Sequence, residues 1–348
     1  MVIQTMWKDR LSFSDIEGKN GETVVARIEK LKAMGCALLR FAVPDMEAAE
    51  VLGKLASMVS MPLVADIHFD YKIALRCLDF PIAKIRINPG NIGKAENVEQ
   101  VLSKAALKKR PIRIGVNAGS LPQDLRRSIE SGEKTLSEAM VAAAERELAI
   151  FSEYNFSDVL VSMKASGVAD TIEANRLFAE THDTPLHTGV TEAGPLIAGV
   201  TRNAIALYQM LSAGIGDTIR VSLSDSMENE VIAGREIVNT LKIQQKGADI
   251  QDRAFGGVTL VSCPRCGRNS FDTHAFTARW LERLYTLKKK CVIAVMGCAV
   301  NGPEEARHAD LGITGVGNKA LIFRNGKIVR TIEVEEADAA FQEELDTL

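Results

Sequence analysis

Eight short apolar segments, each followed by a longer stretch of helical periodicity, most constrain the fold of this 348-residue chain. The segments are rich in β-branched residues, and the stretches between them are typical of amphipathic helices. Eight strand–helix units in about 245 residues match a (β/α)8 barrel, which typically needs about 250. The predicted strands are VIQTM (2–6), ALLRFAV (37–43), LVADIHF (63–69), AKIRINP (83–89), IRIGVNA (112–118), VLVSMKA (159–165), LHTGVT (186–191) and TIRVSL (218–223).

The domain organisation follows from this count. An open doubly wound sheet is the alternative, because alternation alone does not show closure, but eight units favour the barrel. We therefore predict an α/β protein with a TIM barrel over residues 1–245, a linker over 246–257 and a smaller α/β domain over 258–348. In the smaller domain, Asn325–Gly326 between two apolar segments predicts a β-hairpin.

Polar and charged residues interrupt the predicted strands near their carboxyl ends, often two residues apart. Side chains two apart point to the same side of a strand, and active sites of such barrels lie at the carboxyl ends. For any single residue, an internal ion pair that closes the barrel is the alternative role. For the whole set this is a poor account, since buried charges are costly without partners. The residues are Arg40, Asp66, His68, Arg86, Asn88, Arg113, Asn117, Ser162, Lys164, Arg220 and Ser222.

The charges of this predicted mouth indicate the kind of substrate. Its cations, Arg40, Arg86, Arg113, Lys164 and Arg220, exceed the acids, Asp66 and Glu192, by three. Arginine forks bind phosphate oxygens bidentately, so we predict a small substrate with two or more phosphate charges. A net charge of −3 without a basic block, and an aromatic content of 5%, argue against nucleic acid or a membrane surface as the partner.

Three of the six cysteines form a pattern typical of a metal or redox site. Cys263 and Cys266 stand in a Cys-x-x-Cys turn, and Cys298 lies in a glycine-rich loop. Cys291 begins the predicted strand that ends near Cys298. The two would be about 23 Å apart at ~3.3 Å per residue, so they cannot share one metal centre. We assign Cys298 to the site and Cys291 to packing or the surface.

Two kinds of metal centre fit these thiolates. A structural zinc would add a histidine such as His274 or His308, whereas an iron–sulfur cluster would leave one iron for another ligand. The missing fourth cysteine and the phosphate-binding barrel favour the cluster. Cys36 and Cys77 are predicted to be ordinary buried residues.

Because the cysteines are too few for a disulfide scaffold and no signal peptide or ~18-residue apolar run occurs, the expected location is the cytoplasm.

Eight motifs in order resemble the 4-hydroxy-3-methylbut-2-enyl diphosphate synthase family, the iron–sulfur enzymes of the non-mevalonate isoprenoid pathway. The resemblance covers about residues 2–330, and the ordered set is far more specific than any single motif. The motifs are ADIHFDYKIAL, KIRINPGNIG, PIRIGVNAGSL, VSMKAS, GVTEAG, GIGDTIRVSL, SCPRCGR and GCAVNGPEEA.

The resemblance implies an activity, a cofactor and partners. The reaction is the two-electron reductive ring opening of 2-C-methyl-D-erythritol 2,4-cyclodiphosphate with loss of a hydroxyl. Flavodoxin or ferredoxin supplies the electrons one at a time. The family is a head-to-tail homodimer, in which one chain's cluster domain closes over the other chain's barrel.

The resemblance also implies site residues. A 4Fe-4S cluster is held by Cys263, Cys266, Cys298 and Glu305, and Glu192 handles protons at the substrate. The diphosphate-binding positions that it implies are Arg40, Arg86, Asn88, Arg113, Asn117, Lys164, Arg220 and Ser222. The full predicted substrate-binding set adds Asp66, His68 and Thr191.

Two departures from the family pattern occur. The family loop usually reads G-P-G-E, whereas G-P-E-E stands here, which makes Glu304 a rival to Glu305 as the fourth ligand. Trp7, Lys8 and Asp9 replace a T-N-T-like turn after the first strand.

Two other functions remain as alternatives. One is a phosphate-binding barrel lyase or aldolase with a structural zinc domain, in which Lys164 would form a Schiff base. The other is a non-catalytic zinc-ribbon module fused to a degenerate barrel.

Overall fold

Eight parallel strands form the first sheet of the protein, in a computed structural model that describes residues 1–88, 92–245, 257–299 and 302–348. The strand order is β6-β5-β4-β3-β2-β1-β8-β7. A parallel bridge between Val161 and Leu186 joins the two ends of this sheet. The strands are β1 Val2–Met6, β2 Leu38–Ala42, β3 Leu63–Asp66, β4 Lys84–Ile87, β5 Ile112–Asn117, β6 Val159–Lys164, β7 His187–Thr188 and β8 Thr218–Ile219.

The closed ring confirms the predicted (β/α)8 barrel over the open sheet, and each strand lies within its predicted segment. The amide of Val161 also donates to the carbonyl of Pro185 at 2.9 Å, which supports the closure. The helices that follow the strands are α1 Gly18–Ala33, α2 Met46–Met58, α3 Tyr71–Cys77, α4 Ala95–Lys108, α5 Gln123–Glu130, α6 Leu136–Glu153, α7 Val168–Thr181, α8 Leu196–Ser212 and α9 Met227–Gln245.

Local sequence signals start several of these helices. Asp45 accepts a hydrogen bond from the Ala48 amide at the start of α2, and Thr135 and Glu138 form a capping box at α6. The helices bury one apolar face, as Ile28 and Leu31 of α1 do completely. Burial of this face supplies most of a surface helix's stability. Among the described helices, none is long and apolar enough to cross a membrane.

The second sheet has five strands in the order β13-β12-β11-β10-β9. Strands β9, β10 and β11 are parallel, whereas β11, β12 and β13 are antiparallel neighbours. The core of this unit is aromatic, with Phe276, Trp280 and Phe341 in mutual contact. Its elements are β9 Val258–Ser262, α10 Thr273–Thr286, β10 Cys291–Val295, α11 Gly302–Glu305, β11 Leu311–Val316, β12 Lys319–Arg324, β13 Lys327–Glu333 and α12 Ala337–Asp346.

The predicted hairpin is confirmed between β12 and β13. Asn325 and Gly326 have φ values of 48° and 74°, in the left-handed region that a two-residue hairpin turn requires. Strand β11 was missed by the sequence prediction.

Contacts divide the chain into units of residues 1–238 and 239–348, so the division falls inside α9. The domain bounds of 1–245 and 258–348 stay a prediction. The linker predicted for 246–257 lies outside the described residues except for Gly257.

Candidate active site

A buried carboxylate organises one side of the barrel mouth. Asp66, at the end of β3, lies 3.0 Å from Arg40 Nη2 and 3.2 Å from Arg86 Nη1. His68 Nε2 lies 3.5 Å from the same carboxylate. Burial alone would raise the pKa of Asp66, but the charge of Arg40, the hydrogen bond of His68 and the charges of Arg86 and Arg113 hold it well below its usual range. These predicted residues are therefore brought together around an ionised Asp66.

Arg86 occupies space that only a glycine leaves open. Its Nη2 donates to the carbonyl of Gly115 at 3.4 Å. A β-carbon on residue 115 would collide with the Arg86 guanidinium. Gly115 faces the barrel interior between Arg113 and Asn117 on β5, so the guanidinium lies across the neighbouring strand and is fixed there.

Arg113 is the cation of the mouth that most needs a ligand. Its side chain is 2% exposed, and its Nε and Nη1 atoms have no hydrogen-bond partner among the residues that the structure describes. Burial lowers the pKa of Arg113 well below its usual value, the Arg40 cation lowers it further, and Asp66 opposes both. Unsatisfied buried donors are costly, and an anionic ligand oxygen would complete them.

Lys164 lies in the same environment at the end of β6. Its ammonium is 3.3 Å from the position of a β-carbon on Gly189, which places it at the carboxyl end of β7. Burial lowers the pKa of Lys164 well below its usual value, and the cations Arg113 and Arg220 lower it further. A substrate with phosphate charges would raise the pKa of Lys164 again, because it supplies negative charge to crowded cations.

The remaining predicted residues occupy strand ends around the mouth. Asn117 ends β5 opposite Lys164 of β6, and Asn88 and Ser222 are half-buried just beyond β4 and β8. The amide of Thr191 donates to the carbonyl of Ala165 at 3.1 Å, which ties the loop after β7 to the end of β6.

Glu192 follows that loop as an exposed residue with a φ of 50°. A left-handed backbone is uncommon for glutamate. The backbone at Glu192 is therefore held at some conformational cost, as often occurs at functional positions.

Sequence reasoning missed the partner of Arg220. Glu230, in the first turn of α9, accepts from Arg220 Nε at 3.1 Å and from Arg220 Nη2 at 3.0 Å. The residue lies on a helix, so no strand pattern pointed to it. The charge estimate made from the sequence omitted this acid.

Sequence reasoning also missed polar residues deeper in the barrel. Lys84 and His187 are buried, and Gln4 is buried with neither amide atom partnered. Nδ1 of His187 lies 2.7 Å from Thr218 Oγ1. The signal for Lys84 was available, because it stands two residues before Arg86 on the same face of β4.

Arg113→Met should change substrate affinity and stability in opposite directions. A charge-assisted hydrogen bond is worth about 1.5–3 kcal/mol, so affinity for a diphosphate ligand should fall about 10- to 100-fold. The melting temperature should rise by a few degrees, because a poorly compensated buried charge is removed. Titration calorimetry and thermal unfolding measure the two effects. Arg146→Met, which breaks an exposed ion pair with Asp124, is the control. Unchanged affinity in Arg113→Met would exclude Arg113 from substrate binding.

Because of Lys84, the free energy of unfolding should increase as pH rises above neutrality. Burial, with the Arg113 cation, lowers the pKa of Lys84 to about 7, whereas an unfolded lysine titrates near 10.4. The unfolded state binds the extra proton between these values, so the stability of the parent should rise by on the order of 2 kcal/mol from pH 7 to pH 9 relative to Lys84→Met. Thermal unfolding of both proteins across this range measures the difference. Parallel curves would contradict it.

The second unit places three cysteines at one end of its sheet. Cys263 follows β9, and its amide donates to the carbonyl of Val295, the last residue of β10. Cys298 follows β10 two residues after Met296. The Asn269 amide donates to the carbonyl of Cys266 at 3.0 Å, which closes the turn that follows the Cys-x-x-Cys segment.

Gly297 lets these loops approach each other. A β-carbon there would collide with Asn269 Oδ1 and would lie 3.5 Å from Cys263 Sγ. Asn269 Oδ1 is buried and has no hydrogen-bond partner within residues 1–88, 92–245, 257–299 and 302–348. Glu304 and Glu305 are exposed in α11. Among the residues that the structure describes, no three cysteine, histidine or acidic side chains are grouped closely enough to hold a metal ion. Three thiols and a carboxylate in adjoining loops nonetheless suit an iron–sulfur cluster chemically.

The other cysteines are buried, as predicted for Cys36 and Cys77, and Cys291 lies in packing and not at the surface. Cys291 begins β10 inside the sheet core, where burial raises the pKa of its thiol to about 11. Cys36 and Cys77 are also buried, which raises the pKa of Cys36 to about 11 and that of Cys77 to about 12. Such thiols are poor metal ligands because the thiolate is disfavoured.

The fold and the site together define a barrel equipped for an anionic ligand, joined in one chain to a cysteine-bearing α/β domain. Residues 1–235 match the family description "GcpE TIM-barrel domain", and residues 259–347 match "GcpE protein C-terminal domain". The chain belongs to the GcpE family.

Relatives with curated names are similar over nearly the full length. The protein named 4-hydroxy-3-methylbut-2-en-1-yl diphosphate synthase (flavodoxin) from Treponema denticola is 49% identical, covering 100% of this chain and 93% of that protein. The protein of the same name from Treponema pallidum is 50% identical over 99% of this chain and 86% of its own length. Among solved structures, Yersinia pestis dihydropteroate synthase is 15% identical with a TM-score of 0.43, and the match covers 70% of this chain and 93% of that chain. This similarity is too distant to bear on function.

Proposed function

We infer that this chain is an oxidoreductase that converts 2-C-methyl-D-erythritol 2,4-cyclodiphosphate to 4-hydroxy-3-methylbut-2-enyl diphosphate. Relatives at 49% and 50% identity over nearly the whole chain carry the name of this synthase. The structural observation that carries the inference is Arg113, whose buried guanidinium lies in a cationic mouth and has two nitrogens without a partner in the described part of the chain. A diphosphate supplies the anionic oxygens that such a group requires.

We assign the diphosphate to the cations of the mouth. Arg113, Lys164 and Arg220 would take its oxygens, while Asp66 keeps Arg40 and Arg86 in place through the two ion pairs already described. Contacts to both phosphates would fix the orientation of the ring carbon that reacts. Part of the binding energy is thereby used to position the substrate for reaction. The other positions proposed to line the substrate are His68, Asn88, Asn117, Thr191 and Ser222.

We assign the proton-transfer step to Glu192. Loss of the hydroxyl as water requires a proton at the departing oxygen, and a carboxylic acid at the mouth can deliver it. The exposed position of Glu192 lets it exchange protons with solvent between turnovers.

We propose that Cys263, Cys266, Cys298 and Glu305 hold a 4Fe-4S cluster, with Glu304 as the rival fourth ligand. When bound, such a cluster supplies electrons one at a time. Three thiols at the end of one sheet, with a carboxylate in the following short helix, support this set. The glycine at 297 keeps the loops of Cys263 and Cys298 close.

The proposed electron donor is flavodoxin, named for the relatives, with ferredoxin as the other candidate. We also propose a head-to-tail homodimer and a cytoplasmic location. Analytical ultracentrifugation of the iron-loaded protein tests the dimer.

Anaerobic purification followed by turnover tests the function. We expect a brown protein with about four irons per chain that converts the cyclic diphosphate only when a reductant is supplied. A colourless zinc protein without this turnover would overturn the proposal and favour the lyase or aldolase. Borohydride trapping at Lys164 would then identify a Schiff base.

A further inference from the structure

The carboxylate of Glu230 joins three segments at the barrel mouth, and its side chain is fully buried. It accepts from Thr5 Oγ1 at 2.6 Å and from Lys8 Nζ at 2.9 Å, at the end of β1. It also accepts from the Leu223 amide at 3.1 Å, beyond β8. With the two bonds from Arg220, five donors converge on one carboxylate. Oε1 accepts three of these bonds and Oε2 accepts two, so the roughly four lone-pair sites of an ionised carboxylate are fully used.

This arrangement sets the direction of the Arg220 guanidinium. Glu230 holds Nε and Nη2 in a bidentate fork, which fixes the plane of the group. The third nitrogen, Nη1, faces Met6 Sδ at 3.6 Å. A thioether is a weak acceptor, so a phosphate oxygen can replace it at little cost. Glu230 thus leaves one nitrogen of Arg220 available to an anion.

Glu230 also acts on the charge of the mouth. Burial raises its pKa, but Arg220, Thr5 and Lys8 hold it below the usual value, so the group is ionised. Its negative charge raises the pKa of Lys164 and of Arg40, against the effect of their burial.

Glu228, two residues before Glu230 on α9, has a structural role away from the barrel mouth. Glu228 is also buried, at 5% exposure, and binds Arg27 Nε at 3.0 Å and Nη2 at 3.3 Å. Arg27 belongs to α1, on the outside of the barrel. Glu228 therefore joins two helices, whereas Glu230 reaches the mouth.

We propose that Glu230 is a positioning residue, which orients Arg220 toward a phosphate oxygen of the substrate. It does not touch the substrate and acts through Arg220. This inference rests on the proposed function, since it assumes that Arg220 binds the cyclic diphosphate.

A double-mutant cycle tests the proposal on the iron-loaded enzyme. Glu230→Gln is made in the parent and in Arg220→Ala. Because all five partners are donors, the amide nitrogen of glutamine cannot replace a carboxylate oxygen, and the fork should break. In the parent background kcat should fall about tenfold or more, as for a lost charged hydrogen bond. The affinity for the cyclic diphosphate should change less than about threefold, because the more positive mouth attracts the anion and offsets the lost orientation.

In the Arg220→Ala background, Glu230→Gln should lower kcat by less than about twofold. A residue that acts through Arg220 has no effect on kcat once the Arg220 side chain is removed. Glu228→Gln is the matched control and should keep the parent kcat. If Glu230→Gln fails to fold, Glu230→Asp, which retains the charge and shortens the reach, is used in the same cycle. An equal loss in both backgrounds, or no loss in the parent, would overturn the proposal. Absence of turnover in the parent itself would instead overturn the proposed function.

Discussion

Cys298→Ala should lose most of the bound iron and nearly all turnover of the cyclic diphosphate. Replacing residues that only support metal ligands typically costs 10- to 100-fold, so loss of a direct ligand should exceed about 100-fold. Cys263→Ala and Cys266→Ala should behave in the same way, because each of the three thiols would bind a different iron. Iron content per chain, visible absorption and reductant-dependent turnover measure the effect.

Cys291→Ala is the matched control for this prediction. Cys291 begins the same strand that leads to Cys298, but it is buried in the sheet core. Its replacement should keep the iron and cost about 1 kcal/mol of stability. A Cys298→Ala protein that retained full iron and activity would exclude Cys298 from the ligand set.

The same iron assay decides between the two glutamates of α11. We expect Glu305→Gln to lower iron retention and Glu304→Gln to leave it at the parent level. The reverse order would make Glu304 the ligand. Both residues are exposed in the same short helix, so the pair is well matched for local stability.

Glu192→Gln should lower kcat by about 10²- to 10⁴-fold, the usual contribution of a positioned general acid. Iron content and substrate affinity should remain at parent values, since the cations that bind the diphosphate are unchanged. The left-handed backbone at this position has a similar conformational cost for glutamine and glutamate. The difference in rate between the parent and Glu192→Gln therefore reports the loss of the acidic proton. Because the reaction takes two electrons and the cluster would supply them one at a time, the rates are measured with an excess of a chemical reductant in place of the protein electron donor.

Glu192→Asp is the control, because it keeps the acid and shortens its reach by one methylene. It should retain more activity than Glu192→Gln. Parent rates in Glu192→Gln with intact iron would exclude Glu192 as the proton donor.

Much of the barrel could be predicted because its signals are local. Strand β1 matches its predicted bounds of 2–6, and the other barrel strands lie inside their predicted segments. The alternation of side chains along a strand also predicted that Asp66 and His68 point the same way, and His68 Nε2 lies 3.5 Å from the Asp66 carboxylate. Strand β11, read as LGITGV, was missed because two glycines weaken its strand signal.

Residues of the mouth that lie off the strands could not be predicted in this way. Glu230 is 10 residues from Arg220 in sequence, on a helix whose periodicity indicates only which face is buried. Its bond to Thr5 spans 225 residues. Such contacts depend on the closure of the barrel, which brings β1 beside β8.

The sequence by itself determined the eight strand–helix units, the cationic character of their carboxyl ends and the three cysteines that stand apart from the buried ones. These properties follow from the periodicity and chemistry of neighbouring residues. Only the tertiary structure decided that the strands close into a ring, that Arg113 is left with unpartnered nitrogens and that Glu230 holds Arg220. The physical reason is that burial and pairing depend on residues distant in sequence, and the free energy of a charge is set by the partners that folding brings to it.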